Sequence, residues 1–94
     1  KKFSMLAINL SRETHKFLRR LPTKHAQQIA RKIYALAENP HPTDSSQLRN
    51  HNEYRRADIG EYRIVYRISP ETLFITLVGK RNDDDVYRRM KRLI

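Results

Sequence analysis

Arg56, Arg63, Arg81 and Tyr87, with Asp58 among them, are the side chains whose types and spacing could do chemistry. A guanidinium is nearly permanently charged, so it stabilises developing negative charge and makes a poor base. A phenol can position or exchange a proton, and a carboxylate can take one. These are the parts that cutting RNA without a metal requires. One group removes the 2′-hydroxyl proton, another protonates the departing 5′ oxygen, and cations stabilise the crowded phosphorane between them. Lys80, Arg67 and Arg55 are further candidates for contact with a phosphate backbone.

The elements that must position these residues are legible around them. Residues 54–59 and 62–68 read as strands joined by Gly60 and Glu61, and a two-residue connection containing Gly signals a tight hairpin. That turn pairs Ile59 with Tyr62, Ala57 with Ile64 and Arg55 with Tyr66, all on one largely apolar face. The opposite face carries Tyr54, Arg56 and Asp58 against Arg67, Val65 and Arg63, and reads as a charged surface with no core of its own. A third strand over 73–78 follows a turn containing Pro70. Continuing the ladder pairs Ile68 with Leu73, Tyr66 with Ile75 and Ile64 with Leu77, and places Phe74, Thr76 and Val78 on the basic face.

Before this meander, residues 3–9 alternate weakly and suggest an opening strand, and Ser11 is placed to cap a helix. Thr14, Phe17, Leu18 and Leu21 form one helical stripe, Pro22 ends it, and Thr23 is placed to cap the next helix over 24–38. Ala26, Ile29, Ala30, Ile33, Leu36 and Ala37 make that helix's apolar face. Residues 39–46, with two prolines, read as irregular, and 47–53 lead into the hairpins with Leu48 as anchor. A last helix begins at Asn82, with Asp83, Asp84 and Asp85 in its first turn and Lys91 and Arg92 in its last, as the helix dipole favours. Val86, Met90 and Leu93 form its stripe. The expected fold is α+β: an N-terminal strand, a helix hairpin, a three-stranded antiparallel meander and a C-terminal helix.

The 94 residues suit one domain over 1–94 with one core. Cysteine is absent, and His15, His25, His41 and His51 show no paired spacing, so neither a metal nor another cofactor is implied. No apolar run approaches the ~20 residues of a membrane span, which makes a soluble, cytoplasmic setting the expectation. The formal net charge of +10, from 20 Lys and Arg against 10 Asp and Glu, implies a polyanionic partner, either nucleic acid or an acidic protein.

Each candidate also has a purely structural reading. Arginines on an exposed sheet face are usually solvated or paired, and Asp58 opposite Arg63 makes a cross-strand ion pair. Arg67 over Phe74 or Tyr54 makes a cation–π contact, and Tyr87 packs against the sheet edge. The acidic run is a helix start, and Tyr62 and Tyr66 belong to the core. From the residues alone, binding of a polyanion and catalysis on it both stay open.

The hairpin RRADIGEYRIVYRI and the later GKRNDDDVYRRM, together with the order of elements, resemble the RelE/ParE superfamily of bacterial toxins, and its RelE-like branch in particular. The resemblance spans nearly the whole chain. It implies a microbial-ribonuclease-like fold, an mRNA interferase that cleaves message in the ribosomal A site without a cofactor, and an acidic, partly disordered antitoxin that holds the toxin inactive in a hetero-oligomer. The family's strand arginine matches Arg63, the later arginine Arg81 and the tyrosine Tyr87, and Arg56 matches one basic position of the preceding strand. Asp58 departs from the pattern, standing where a second basic residue is often found. It lowers the positive potential and offers a carboxylate base beside Arg63. The ParE-like branch shares the fold but inhibits DNA gyrase. Arg81 and Tyr87 favour the RelE-like expectation of a ribosome-dependent, metal-independent endoribonuclease that inhibits translation. The alternatives are a gyrase inhibitor and a weakened toxin that retains antitoxin binding.

Overall fold

A left-handed glycine sets the register of the sheet on which everything else rests. The computed structural model describes residues 5–82 and 84–93. It runs β1 (Ala7–Leu10), α1 (Arg12–Arg19), α2 (Thr23–Glu38), β2 (Ser45–Leu48), β3 (His51–Ile59), β4 (Tyr62–Ile68), β5 (Thr72–Lys80) and α3 (Asp85–Leu93). The sheet is five-stranded in the order β1-β5-β4-β3-β2, with β1 parallel to β5 and the other neighbours antiparallel. Gly60 has φ +57°, which a side chain would strain, and Ile59–Tyr62, Ala57–Ile64 and Arg55–Tyr66 pair as the sequence indicates. Phe3 and Ser4 of the expected first strand, and Asp83 of the acidic run, lie outside the described residues.

The α+β architecture matches the expectation, with four corrections. First, Ser45–Leu48 pairs with β3 as a strand of its own, where the sequence suggested irregular chain to residue 46 and a lead-in from 47. The run Ser-Ser-Gln-Leu has weak strand preference and gains its structure from a partner. Second, Thr23 is the first residue of α2 instead of its cap. The Pro22 carbonyl accepts from the amides of His25 and Ala26, so the helix opens one residue early with no side-chain cap. Third, α3 starts at Asp85, because Asp84 takes φ +57° and its carbonyl accepts from Tyr87 and Arg88.

The fourth correction changes the site. Ile64 does not pair with Leu77: the register shifts between Val65 and Tyr66, so Ile64 faces Val78 and Val65 faces Leu77. Thr76 is the extra residue of a β-bulge. Its neighbourhood is held by the start of α1. Ser11 caps that helix, accepting from the Thr14 amide at 3.0 Å, and its Oγ donates to the Thr76 carbonyl at 2.7 Å. Thr14 is fully buried, its Oγ1 donating to the Ile75 carbonyl at 3.3 Å.

The bulge gives the sheet two cores. On one face α1 and α2 cover Ala57, Tyr62, Ile64, Tyr66, Leu73, Ile75 and Val78. The other face, expected to be a charged surface with no core of its own, carries a second core of Leu48, Val65 and Leu77 under Val86 and Met90 of α3, with Tyr54 and Tyr87 at its margin. Fully burying each such side chain contributes about 1.5–3 kcal/mol, which fixes α3 on the sheet. Gly79 permits the approach: a Cβ there would lie 2.6 Å from Asp85 Oδ2 and 3.0 Å from Val86 Cγ1. Among the described residues no helix is long and apolar enough to cross a membrane.

Candidate functional site

The centre of the candidate site is a cross-strand pair. Asp58 and Arg63 are direct neighbours across β3 and β4, on the face that α3 partly covers. Arg63 Nε donates to Asp58 Oδ1 at 2.8 Å and Nη2 to Oδ2 at 3.3 Å, a two-pronged contact in which both side chains are largely buried. The hydrogen bond to Asp58 raises the Arg63 pKa above its ordinary value against the opposing cost of burial, and the charges of Asp58, Tyr87 and Asp84 add to it. Arg63 is thus a fixed, permanent cation, and Tyr87 and Asp84 lie within its electrostatic reach. Arg56, two residues before Asp58 on the same face, brings Nη1 within 4.0 Å of Asp58 Oδ2. The two arginines therefore converge on a carboxylate where an approaching phosphate would also go.

Beyond Gly79, which pairs with Arg63, β5 ends in Lys80 and the chain continues to Arg81. The Arg81 amide donates to the Glu61 carbonyl at 3.0 Å, which fastens this end to the β3–β4 turn. Both side chains are exposed, and among the described residues neither makes an ion pair. They are the open cations at this end of the sheet.

Two candidates fall elsewhere. Arg67 lies four residues along β4 from Arg63, roughly 13 Å away at strand spacing, and stacks over Phe74 with 4.3 Å to the ring centroid. Arg55 faces the helix side: Nη2 donates to Ser45 Oγ at 2.7 Å and Nε to the Tyr66 hydroxyl at 3.4 Å, and that hydroxyl donates to the Pro40 carbonyl at 2.8 Å. Arg55 ties β2, β3 and the segment after α2 together.

Tyr87 is half-buried against the second core. The Arg49 guanidinium lies over its ring, 4.4 Å from the centroid. Arg49 sits in the β2–β3 turn, where Asn50 adopts φ 67°, a conformation Asn tolerates better than most residues. Between this turn and α3 opens a cleft of about 320 Å³ lined by Arg49, His51, Asp84, Tyr87, Arg88 and Lys91. None of Arg49, His51, Arg88 and Lys91 was among the site candidates read from the sequence. Asn50 between two polar stretches was the available turn signal, but without β2 there was no hairpin to place it in. Arg89, adjacent in sequence, is structural: Nη1 donates to the Val78 carbonyl at 2.7 Å and to Asp85 Oδ2 at 3.1 Å.

This arrangement can attract an extended polyanion, hold a phosphate near fixed guanidinium groups and present a phenol beside it. Comparison with solved structures finds the same fold in toxins of two kinds. The chain is similar to the RelBE2 toxin–antitoxin complex from Mycobacterium tuberculosis, with 24% identity, TM-score 0.74, and 87% of this chain and 98% of that one covered. It is similar to an Escherichia coli RelE mutant in the free state, with 22% identity, TM-score 0.78, and 97% and 100% covered. It is also similar to a chromosomal ParDE system from Pseudomonas aeruginosa, with 11% identity, TM-score 0.68, and 81% and 96% covered. No curated protein matches the sequence. The model of the family described as the ParE toxin of the type II toxin–antitoxin system parDE matches residues 2–85, so the chain belongs to that family, a type II toxin of the RelE/ParE superfamily.

Proposed function

We propose that this toxin is a metal-independent endoribonuclease that cuts mRNA on the ribosome and so inhibits translation. The observation that supports the reading is the cluster of Arg56, Asp58 and Arg63 on one face of the sheet, close enough to Tyr87 of α3 for its charge to act on Arg63, at the end of the sheet that carries the open Lys80 and Arg81. Lys80, Arg56 and Arg81 draw in the RNA backbone, and Arg63, aimed by Asp58, meets the phosphate that reacts. As the 2′ oxygen bonds to phosphorus, the P–O5′ bond breaks; the 2′ proton passes to a base and the 5′ oxygen receives one. Tyr87 positions or exchanges one of these protons. Asp58 can serve as the base only by releasing a bond from Arg63, so its first role is to orient that guanidinium. The natural partner is an acidic antitoxin covering the basic face, and its association is fast and weakened by salt.

A second reading, inhibition of DNA gyrase, is favoured by two observations: the matching family model is that of the ParE toxin, and Asp58 already neutralises Arg63. Brief induction in a bacterial host, with primer extension across translated messages, separates the two. New ends within codons, lost on Arg81→Ala or Tyr87→Phe while both variants still melt cooperatively, support the ribonuclease. Growth arrest with intact messages and DNA-damage signalling overturns it in favour of gyrase. No arrest at any expression level leaves antitoxin binding as the retained activity.

A further inference from the structure

The β2–β3 turn has no part in the reading above, yet it supplies the cation that covers the Tyr87 ring. We propose that Arg49 is a positioning residue for Tyr87, holding the phenol at the angle from which its hydroxyl meets the substrate; this rests on the ribonuclease reading.

Both partners of the stack lean on anchored neighbours. Leu48, immediately before Arg49, is 1% exposed within the second core, and Val86, immediately before Tyr87, is fully buried in the same core. The ladder between β2 and β3 shifts register after Gln47, so Leu48 pairs with His51 and the turn tightens around Arg49 and Asn50. The left-handed Asn50 completes that turn. Arg49 is therefore directed at α3 by the backbone, although its own side chain is exposed.

The geometry of the contact suits positioning better than proton transfer. Arg49 lies over the ring face, 4.4 Å from the centroid, and leaves the hydroxyl to other partners. A guanidinium so placed is attracted by the ring's quadrupole and blocks rotation out of place. The cleft beside the pair, about 320 Å³, is lined by Arg49, Lys91 and Arg88, the last within 3.7 Å of Asp85, and among the described residues Asp84 is the acid in its wall. Without the stack, Tyr87 keeps its contact with the second core and gains rotational freedom on the side that Arg49 covers.

The test uses the purified full chain with programmed ribosomes in single-turnover cleavage. Arg49→Ala is expected to lower the rate constant by roughly 10- to 100-fold, the usual cost of misplacing a reacting group. The toxin concentration giving half-maximal rate should change far less. Arg49→Lys keeps the charge but loses the flat stack, so it should resemble Arg49→Ala. Combined with Tyr87→Phe, Arg49→Ala should add little, because both changes remove the same contribution. Arg31→Ala, which removes an equal charge from the exposed side of α2, controls for net charge. Full activity of Arg49→Lys, multiplicative losses in the double variant, or an equal loss in Arg31→Ala overturns the proposal. Should the parent cut no message, the ribonuclease reading fails by itself, and spectra of ¹³C-tyrosine-labelled protein still decide the stack. Arg49→Ala must then shift the Tyr87 ring signals while leaving Tyr62 and Tyr66 in place; an unmoved Tyr87 overturns it.

Discussion

Asp58→Ala tests whether the carboxylate is a clamp on Arg63 or a competitor for phosphate, and it moves stability and affinity in opposite directions. In the folded chain the Asp58 and Arg63 side chains are 28% and 14% exposed and share two hydrogen bonds. Hydrogen bonds to charged groups contribute about 1.5–3 kcal/mol where buried, and exposed ion pairs about 0–1 kcal/mol. This partly buried pair falls between, at about 1–2 kcal/mol, discounted because water can still reach a freed Arg63. For a domain of this length that corresponds to a fall in Tm of roughly 5–15 °C. Removing the carboxylate also raises the formal net charge from +10 to +11 and opens Arg63 to a phosphate. Affinity for a single-stranded RNA oligonucleotide should rise, and its salt dependence should steepen by about 0.7 log units per decade of salt if one more phosphate is neutralised. Thermal melts and fluorescence-anisotropy titrations at several salt concentrations read both effects. An unchanged Tm with weaker RNA binding refutes the clamp. The milder Asp58→Asn keeps an acceptor for Arg63 and should lie between. Were Asp58 the base, this variant would bind RNA at least as well as the parent and cut nothing.

Two further outcomes follow from the packing and the charges. Gly79→Ala would set a Cβ 2.6 Å from Asp85 Oδ2 and 3.0 Å from Val86 Cγ1, so the Asp85 carboxylate must turn away and the seat of α3 must give, costing about 1–3 kcal/mol; chemical denaturation measures it, and a variant as stable as the parent refutes the tight fit at Gly79. Lys32 Nζ donates to Asp44 at 2.8 Å, and that bond, with the charge behind it, holds the Asp44 carboxyl below its ordinary value of 3.8. A depressed folded pKa contributes stability that is present above 3.8 and lost as pH falls through the lower folded value. Asp44→Asn should therefore be slightly less stable than the parent near neutrality and indistinguishable from it in strong acid; a gap that widens on acidification contradicts the assignment.

How much of this was legible in the sequence depended on how local the cause was. Gly60 fixes the β3–β4 hairpin within a few residues, so strand alternation alone places Arg56, Asp58 and Arg63 on one face and Arg55 on the other. The same ladder offered Phe74 or Tyr54 as the ring under Arg67, and it is Phe74 that Arg67 covers. The bulge at Thr76 had no such signal. It is secured by Ser11, 65 residues earlier in the chain, and strand alternation is blind to a capping hydroxyl that reaches across the fold. One inserted residue then exchanges Leu77 and Val78 between the faces, and that exchange lets α3 bury Val86 and Met90 and bring Tyr87 into reach of Arg63. The electrostatic influence of Tyr87 on Arg63 thus depends on the bulge. A flat continuation of the ladder, with Val78 outward and Leu77 inward, would leave α3 without the aliphatic seat that holds it. The same logic explains why Arg49 was missed. Its place over Tyr87 exists only because β2 forms and α3 docks, two events whose causes lie in partners and not in the residues themselves.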